Sequence, residues 1–132
     1  MIADTSAWIE FLRASDSSAD RRMRRAFRED EKVWMPDIVY REVLQGASKP
    51  SIFYQLQELL DTMPAYVSLD PWALSRNAAF LDARCRWQGL TVRSPNDCMI
   101  AACALEAGEP LLAQDRDFAA IARIEPKLQL IF

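Results

Sequence analysis

Short apolar runs alternate with helical patterns along all 132 residues of this chain, and no other feature constrains its fold as strongly. Ile2-Ala3 reads as a short strand ending at Asp4. A helix follows to about Arg13, capped by Asp4 or Thr5, with Ala7, Trp8, Phe11 and Leu12 on its apolar side. Ala19, Met23, Ala26 and Phe27 recur at helical spacing within 17–30, opposite an Arg-rich face. Val33-Trp34-Met35 reads as a strand stopped by Pro36. Asp37 caps a helix through Leu44 that Gly46 ends. Ile52, Phe53, Leu56, Leu59, Leu60 and Met63 mark another amphipathic helix, and Tyr66 to Leu69 another strand. Asp70-Pro71 opens a long helix with Leu74, Ala78, Leu81 and Cys85 as its inner stripe, ended by Gly89. Pro95-Asn96 opens a helix that runs through Ala107 to Gly108. Leu111 to Ala113 is a strand, Phe118 to Ala122 a short helix, and Leu128 to Phe132 a last strand.

Strands separated by helices predict an α/β fold, with a mostly parallel sheet covered on both faces. Its crossovers should be right-handed, and a site should form at the carboxyl ends of the strands. No repeat, low-complexity stretch or long linker interrupts the pattern, so residues 1–132 read as one domain. No apolar run approaches the ~20 residues of a membrane span, and no signal-like segment opens the chain. The expected location is therefore the cytoplasm, with no membrane partner.

Composition narrows the chemistry. The chain contains no histidine, which removes every mechanism that needs an imidazole base. Its three cysteines, Cys85, Cys98 and Cys103, form no Cys-x-x-Cys and read as small buried residues rather than disulfides or zinc ligands. An enzyme built this way must work with carboxylates or a metal. The net charge of −3 argues against a non-specific nucleic-acid coat, although setting four acids aside as ligands leaves a nearly neutral remainder.

Four acids stand where the expected fold places a site. Asp4 directly follows the first strand, and Asp115 follows Leu111 to Ala113 by one residue. Asp97 lies in the first turn of its helix. Glu42 follows Ile38 by four residues and so shares the apolar side set by Ile38, Val39, Val43 and Leu44. An inward carboxylate is costly unless paired or metal-bound. Each acid alone has a plainer reading: Asp4 an N-cap, Asp97 a helix-dipole residue, Asp115 a turn residue, Glu42 a partner of Arg41 or Arg76. Together, in a chain without histidine, they point to a shared pocket. Converging carboxylates repel, and a hard divalent cation such as Mg²⁺ relieves the repulsion with oxygen ligands and retained waters. Such a cation also activates water and offsets phosphate charge, which suits phosphodiester hydrolysis.

The ordered motifs Asp4-Thr5-Ser6, Glu42, Asp97-Cys98-Met99-Ile100-Ala101-Ala102-Cys103-Ala104 and Leu111-Leu112-Ala113-Gln114-Asp115-Arg116-Asp117-Phe118 resemble the PIN-domain signature over essentially the whole chain. The resemblance implies a three-layer α/β/α sandwich and Mg²⁺- or Mn²⁺-dependent endoribonuclease activity on RNA. By position, Asp4, Glu42, Asp97 and Asp115 match the family's catalytic, metal-binding acids, and Ser6 its supporting hydroxyl. The compact length resembles VapC-type toxins of toxin–antitoxin pairs, which implies an antitoxin partner and a homodimer. Ala113 departs from the hydroxyl residue common at that position, and Asp117 either compensates for it or caps the next helix at the surface. Arg93, Arg116, Arg84 and Arg86 are candidates for RNA phosphates, with surface charge as the plain alternative. The Arg-rich run 21–28 could hold phosphates or acidic partner residues, but its plainer reading is a solvated face paired with Glu29, Asp30 and Glu31. Trp8, Phe11, Phe27 and Trp34 read mainly as core, with room for some to line a groove for a partner helix. Two other PIN readings stand beside the toxin: a housekeeping RNA-processing nuclease, and a catalytically weak RNA- or protein-binding module. A phosphatase-like or receiver-like site fits less well, because no Asp-x-Asp follows the first strand and no Lys follows a late one.

Overall fold

The computed structural model describes residues 1–131. Its elements in chain order are β1 (Ile2–Ala3), α1 (Thr5–Leu12), α2 (Ser18–Arg28), β2 (Met35–Pro36), α3 (Asp37–Gln45) and α4 (Pro50–Leu60). Then come β3 (Ala65–Tyr66), α5 (Pro71–Trp87), α6 (Pro95–Ala107), β4 (Leu111–Leu112), α7 (Asp117–Ile124) and β5 (Leu130–Ile131). Every strand pairing is parallel. β1 pairs with β4 and β4 with β5, while β2 pairs with β3. A parallel bridge from Ile2 to Trp34, with the Trp34 N–H donating to Met1 O at 2.9 Å, joins the two groups. The strand order is thus β3-β2-β1-β4-β5.

This order decides where the site can be. From β1 the chain steps one way to β2 and β3, then returns to place β4 and β5 on the other side of β1. Right-handed crossovers therefore put α1 to α4 on one face and α5 to α7 on the other, giving three layers. The packing agrees: α1 packs on α2 and α3, and α3 on α4, while α5, α6 and α7 pack on one another. The strand order reverses between β1 and β4. A crevice opens at the carboxyl ends of such a pair, and Asp4 and Asp115 both emerge there.

The core fills the space between the layers. Ile2, Leu111 and Leu112 from the sheet are fully buried, as are Trp8 and Met23 below and Phe118 and Ile121 above. Ala101, Ala102, Cys103 and Ala104 bury α6 around most of its circumference, where it packs on α5, α7 and α3. All three cysteines are buried and free, and burial pushes the thiols of Cys98 and Cys103 up to about 12. Trp8, Phe11 and Phe27 form one aromatic cluster, with ring centroids 5.2–6.3 Å apart. The Arg-rich face of α2 is paired, Arg25 with Glu29 at 3.0 Å and Arg22 with Glu31 at 2.9 Å. No helix among the described residues is long and apolar enough to cross a membrane.

Several boundaries differ from the sequence reading. Pro36 does not stop β2 but ends it in register with Tyr66; a proline is tolerated where the ladder stops and no N–H is needed. Asp37 is the first helical residue of α3 rather than its cap. The apolar run 66–69 leaves the sheet after Tyr66, and Leu69 is fully exposed. Turn chemistry wins there: the Ser68 hydroxyl accepts from the Asp70 N–H, and Asp70 Oδ1 caps α5 through the Ala73 N–H at 3.0 Å. The last strand is shorter than 128–132, and Phe132 lies outside the described residues.

Candidate metal centre

Asp4 leaves β1 and is fixed from several sides. Its N–H donates to Leu112 O at 2.9 Å, tying the exit of β1 to β4. Its Oδ1 accepts from the Ala7 N–H at 2.9 Å, so the same carboxylate caps α1. The Ser6 hydroxyl lies 2.8 Å from each Asp4 oxygen and accepts from the Gln114 N–H at 3.0 Å. Ser6 thus ties Asp4 to the exit of β4. Burial pushes the Asp4 carboxyl up to about 6, against the pull of the Ala7 N–H and Ser6, and Asp115 adds a smaller push.

Asp97 is the third residue of α6, where the helix dipole favours an anion. Its carboxyl is nevertheless pushed up to about 7, first by burial and then by Asp115, Asp4, Asp117 and Glu42. Each charged group that raises it is another acid. Asp115 Oδ1 accepts from the Asp117 N–H at 2.9 Å, which sets the two carboxylates side by side at the start of α7. One oxygen from each of Asp97, Asp115 and Asp117 lies within 4.8 Å of the others.

Glu42 is half-buried and faces the same region. It accepts from Thr5 Oγ1 at 2.8 Å and from Asn96 Nδ2 at 3.4 Å, and so bonds to neither Arg41 nor Arg76. Those two donors were not singled out as site residues in the sequence. Thr5 begins α1 and Asn96 neighbours Asp97, so together they tie Glu42 to both halves of the sheet. The only sequence signal for them was adjacency to an acid, which is weak.

The structure brings Asp4, Ser6, Glu42, Asp97, Asp115 and Asp117 to one end of the sheet. Asp117 is 8% exposed, the first residue of α7, and is not a surface cap. Arg93 joins this end: its N–H and Nε donate to Asp117 Oδ2 at 3.0 and 3.3 Å, and a terminal nitrogen reaches Asp115 Oδ1 at 3.4 Å. Arg116 is exposed beside Asp115. Arg84 is held elsewhere, by Glu125 at 2.9 Å and by Ile124 O, at the opposite end of α7 from Asp117. Arg86 pairs with Asp82 on its own helix at 3.3 Å. Ala113 is fully buried and its N–H donates to Ile131 O, so the hydroxyl at the exit of β4 comes from Ser6.

The donor set suits a hard divalent cation. The converging ligand atoms are all carboxylate oxygens, histidine is lacking, and the nearby thiols hold their protons. Mg²⁺ or Mn²⁺ at Asp97, Asp115 and Asp117, with Asp4 and Glu42 adjoining, would offset the repulsion that raises Asp97.

The chain is similar to known proteins over nearly its whole length. The PIN domain profile matches residues 1–124. The VapC ribonuclease Mb1587 of Mycobacterium bovis is 37% identical over 125 residues, which cover 94% of this chain and 92% of that protein. Ribonuclease VapC11 of Mycobacterium tuberculosis matches with the same identity and coverage. Among solved structures, VapBC2 from Rickettsia felis bound to a DNA fragment from its promoter aligns with a TM-score of 0.70 at 19% identity, over 98% of this chain and 96% of that one. At that identity the structural likeness speaks for the fold.

Proposed function

The chain belongs to the PIN-domain family, in its VapC branch, and on that premise we propose that it is a divalent-metal-dependent endoribonuclease and the toxin of a toxin–antitoxin pair. The observation that best supports this reading is the convergence of Asp97, Asp115 and Asp117 within 4.8 Å beside a buried Asp4. Mg²⁺, with Mn²⁺ as a substitute, is the proposed cofactor, held by Asp4, Glu42, Asp97 and Asp115 with Asp117 joining them. When bound, it supplies an activated water and charge neutralisation at the scissile phosphate.

The chain's own residues set up that chemistry. Ser6 orients Asp4, Thr5 and Asn96 orient Glu42, and the start of α7 orients Asp115. The rim arginines Arg93 and Arg116 are placed to meet phosphates of a bound RNA. Exposed apolar side chains supply surface for partners. Val67, Leu69 and Trp72 cluster in sequence on one stretch, and Phe53 and Tyr54 pair on α4. We assign these surfaces to a second copy of the chain and to an antitoxin, with the whole chain acting as one domain in the cytoplasm.

The test is cleavage of RNA by purified protein with Mg²⁺, with Mn²⁺ and with excess chelator, in parallel with Asp97→Asn. Cleavage should require the metal and be lost in the variant. Undiminished cleavage under chelation would overturn the metal reading. A protein that cleaves no RNA yet binds a partner tightly would favour the binding module.

A further inference from the structure

Arg93 stands in the short segment between α5 and α6, and its contacts run into the acidic cluster rather than away from it. Its N–H donates to Asp117 Oδ2 at 3.0 Å, which anchors the base of the residue. Its guanidinium then bridges two carboxylates, through Nε to Asp117 Oδ2 at 3.3 Å and through a terminal nitrogen to Asp115 Oδ1 at 3.4 Å. The side chain is otherwise 72% exposed, so these two acids are what hold it. Asp115 and Asp117 are also two of the three acids whose oxygens converge.

A guanidinium and a divalent cation therefore compete for the same two carboxylates. We propose that Arg93 is a built-in counter-ion of the metal-free site: it holds Asp115 and Asp117 together until a divalent cation displaces its side chain, which then swings to the rim. This rests on the divalent-cation reading above. The geometry makes the exchange easy. The backbone bond to Asp117 stays, and the side chain, already largely exposed, pivots on an anchored base. Displacement frees one positive charge at the mouth of the site when the metal arrives, where an RNA phosphate would meet it. In the metal-free state that charge is spent on the protein's own acids, so cation binding and phosphate capture are coupled.

Arg93 acts on the metal through Asp115 and Asp117, and is a positioning residue. A purely structural role would have the opposite signature, because an arginine that merely organises the ligands would weaken metal binding when removed. The experiment is calorimetric titration of Mn²⁺ and of Mg²⁺ into the parent, Arg93→Ala and Arg93→Lys, with thermal unfolding of each without metal. Arg93→Ala should bind the cation about 2- to 5-fold tighter, the range of an exposed ion pair, while melting lower without metal. Arg93→Lys should fall between, since a point charge cannot bridge both acids as a fork does. The gain should shrink at about 1 M salt, where screening is short-ranged. In the parent, the Nε–H resonance of Arg93 should shift and exchange faster with water as Mg²⁺ is added. Equal or weaker metal binding by Arg93→Ala, or an Nε–H signal unmoved by Mg²⁺, would overturn the latch while leaving the metal site intact. No cation binding by any of the three proteins would overturn the metal reading itself, and the latch with it.

Discussion

Asp20 and Asp97 are both aspartates in the first turn of a helix and both are buried, yet the protein treats them in opposite ways. Asp20, on α2, is fully enclosed. Arg24, one turn on, reaches it with Nε at 2.8 Å, and the Asp16 N–H donates to it at 2.9 Å. The bond to Arg24 holds its carboxyl below the usual range. Asp97, on α6, is pushed up to about 7 by burial and by four other acids. A buried acid with a local counter-ion is a structural part. A buried acid whose charged neighbours repel it either takes up a proton or needs a cation from outside the chain, and so marks a candidate site rather than a structural part.

The sharpest way to break this contrast is Asp97→Asn. Cleavage should fall at least ~100-fold, because a ligand charge is lost and the activated water with it. A variant that cleaves at the parental rate would remove Asp97 from the centre. The next effect is on stability without metal. A carboxyl raised from 3.8 to about 7 leaves the folded state binding more protons than the unfolded one between those values. The metal-free protein should therefore be unpenalised below about pH 4, lose stability as pH climbs to 7, and carry the full cost above it. After allowing for solvent in the pocket the Asp97 share of the loss is about 2 kcal/mol; Asp97→Asn should remove that share and leave the smaller one of Asp4, raised to about 6. Asp20 should act in the opposite sense, adding stability above pH 4 that is lost as pH falls. Denaturant titrations with chelator read the Asp97 slope between about pH 5 and 8 and the Asp20 slope between about pH 2 and 5.

Thr5→Val is a finer cut. It keeps the shape of the side chain but removes the 2.8 Å donor to Glu42, and the fold has other supports at the start of α1. Metal affinity or cleavage should drop about 10-fold, the lower end for an outer partner of a ligand. No change in either would mean that Glu42 needs no such support. The smallest effect on function should come from Asp20→Asn. It should lower the melting temperature, yet leave cleavage within about twofold of the parent, as expected for sites that share no partners. A large loss of activity without unfolding would dissolve the distinction between the two aspartates.

The acids themselves were legible because their placement follows the chain. Asp4 comes at the end of a strand and Asp97 in a helix start marked by Pro95, so local pattern locates both. Asp117 was harder. Nothing in Gln114-Asp115-Arg116-Asp117 says that the second aspartate turns inward to Arg93, whose partner lies 24 residues away. Thr5 and Asn96 were passed over for the same reason, since their bonds to Glu42 span 37 and 54 residues. Arg84 is the converse. Its residue type invited a phosphate, while the fold gave it Glu125, 41 residues on.

The sequence alone determined that this is a chain of strands and helices in alternation, without histidine, and with acids at strand exits and helix starts. Periodicity and composition are local properties, and local propensity expresses them wherever the segment ends up. Only the tertiary structure decided which acids share a pocket, which donors hold them, and which arginine faces them. Those contacts depend on the reversal of strand order between β1 and β4 and on side-chain direction across two helical layers. The charge that raises Asp97 arises from four acids brought in from three separate places in the chain, and a carboxylate has no such neighbours until the chain has folded.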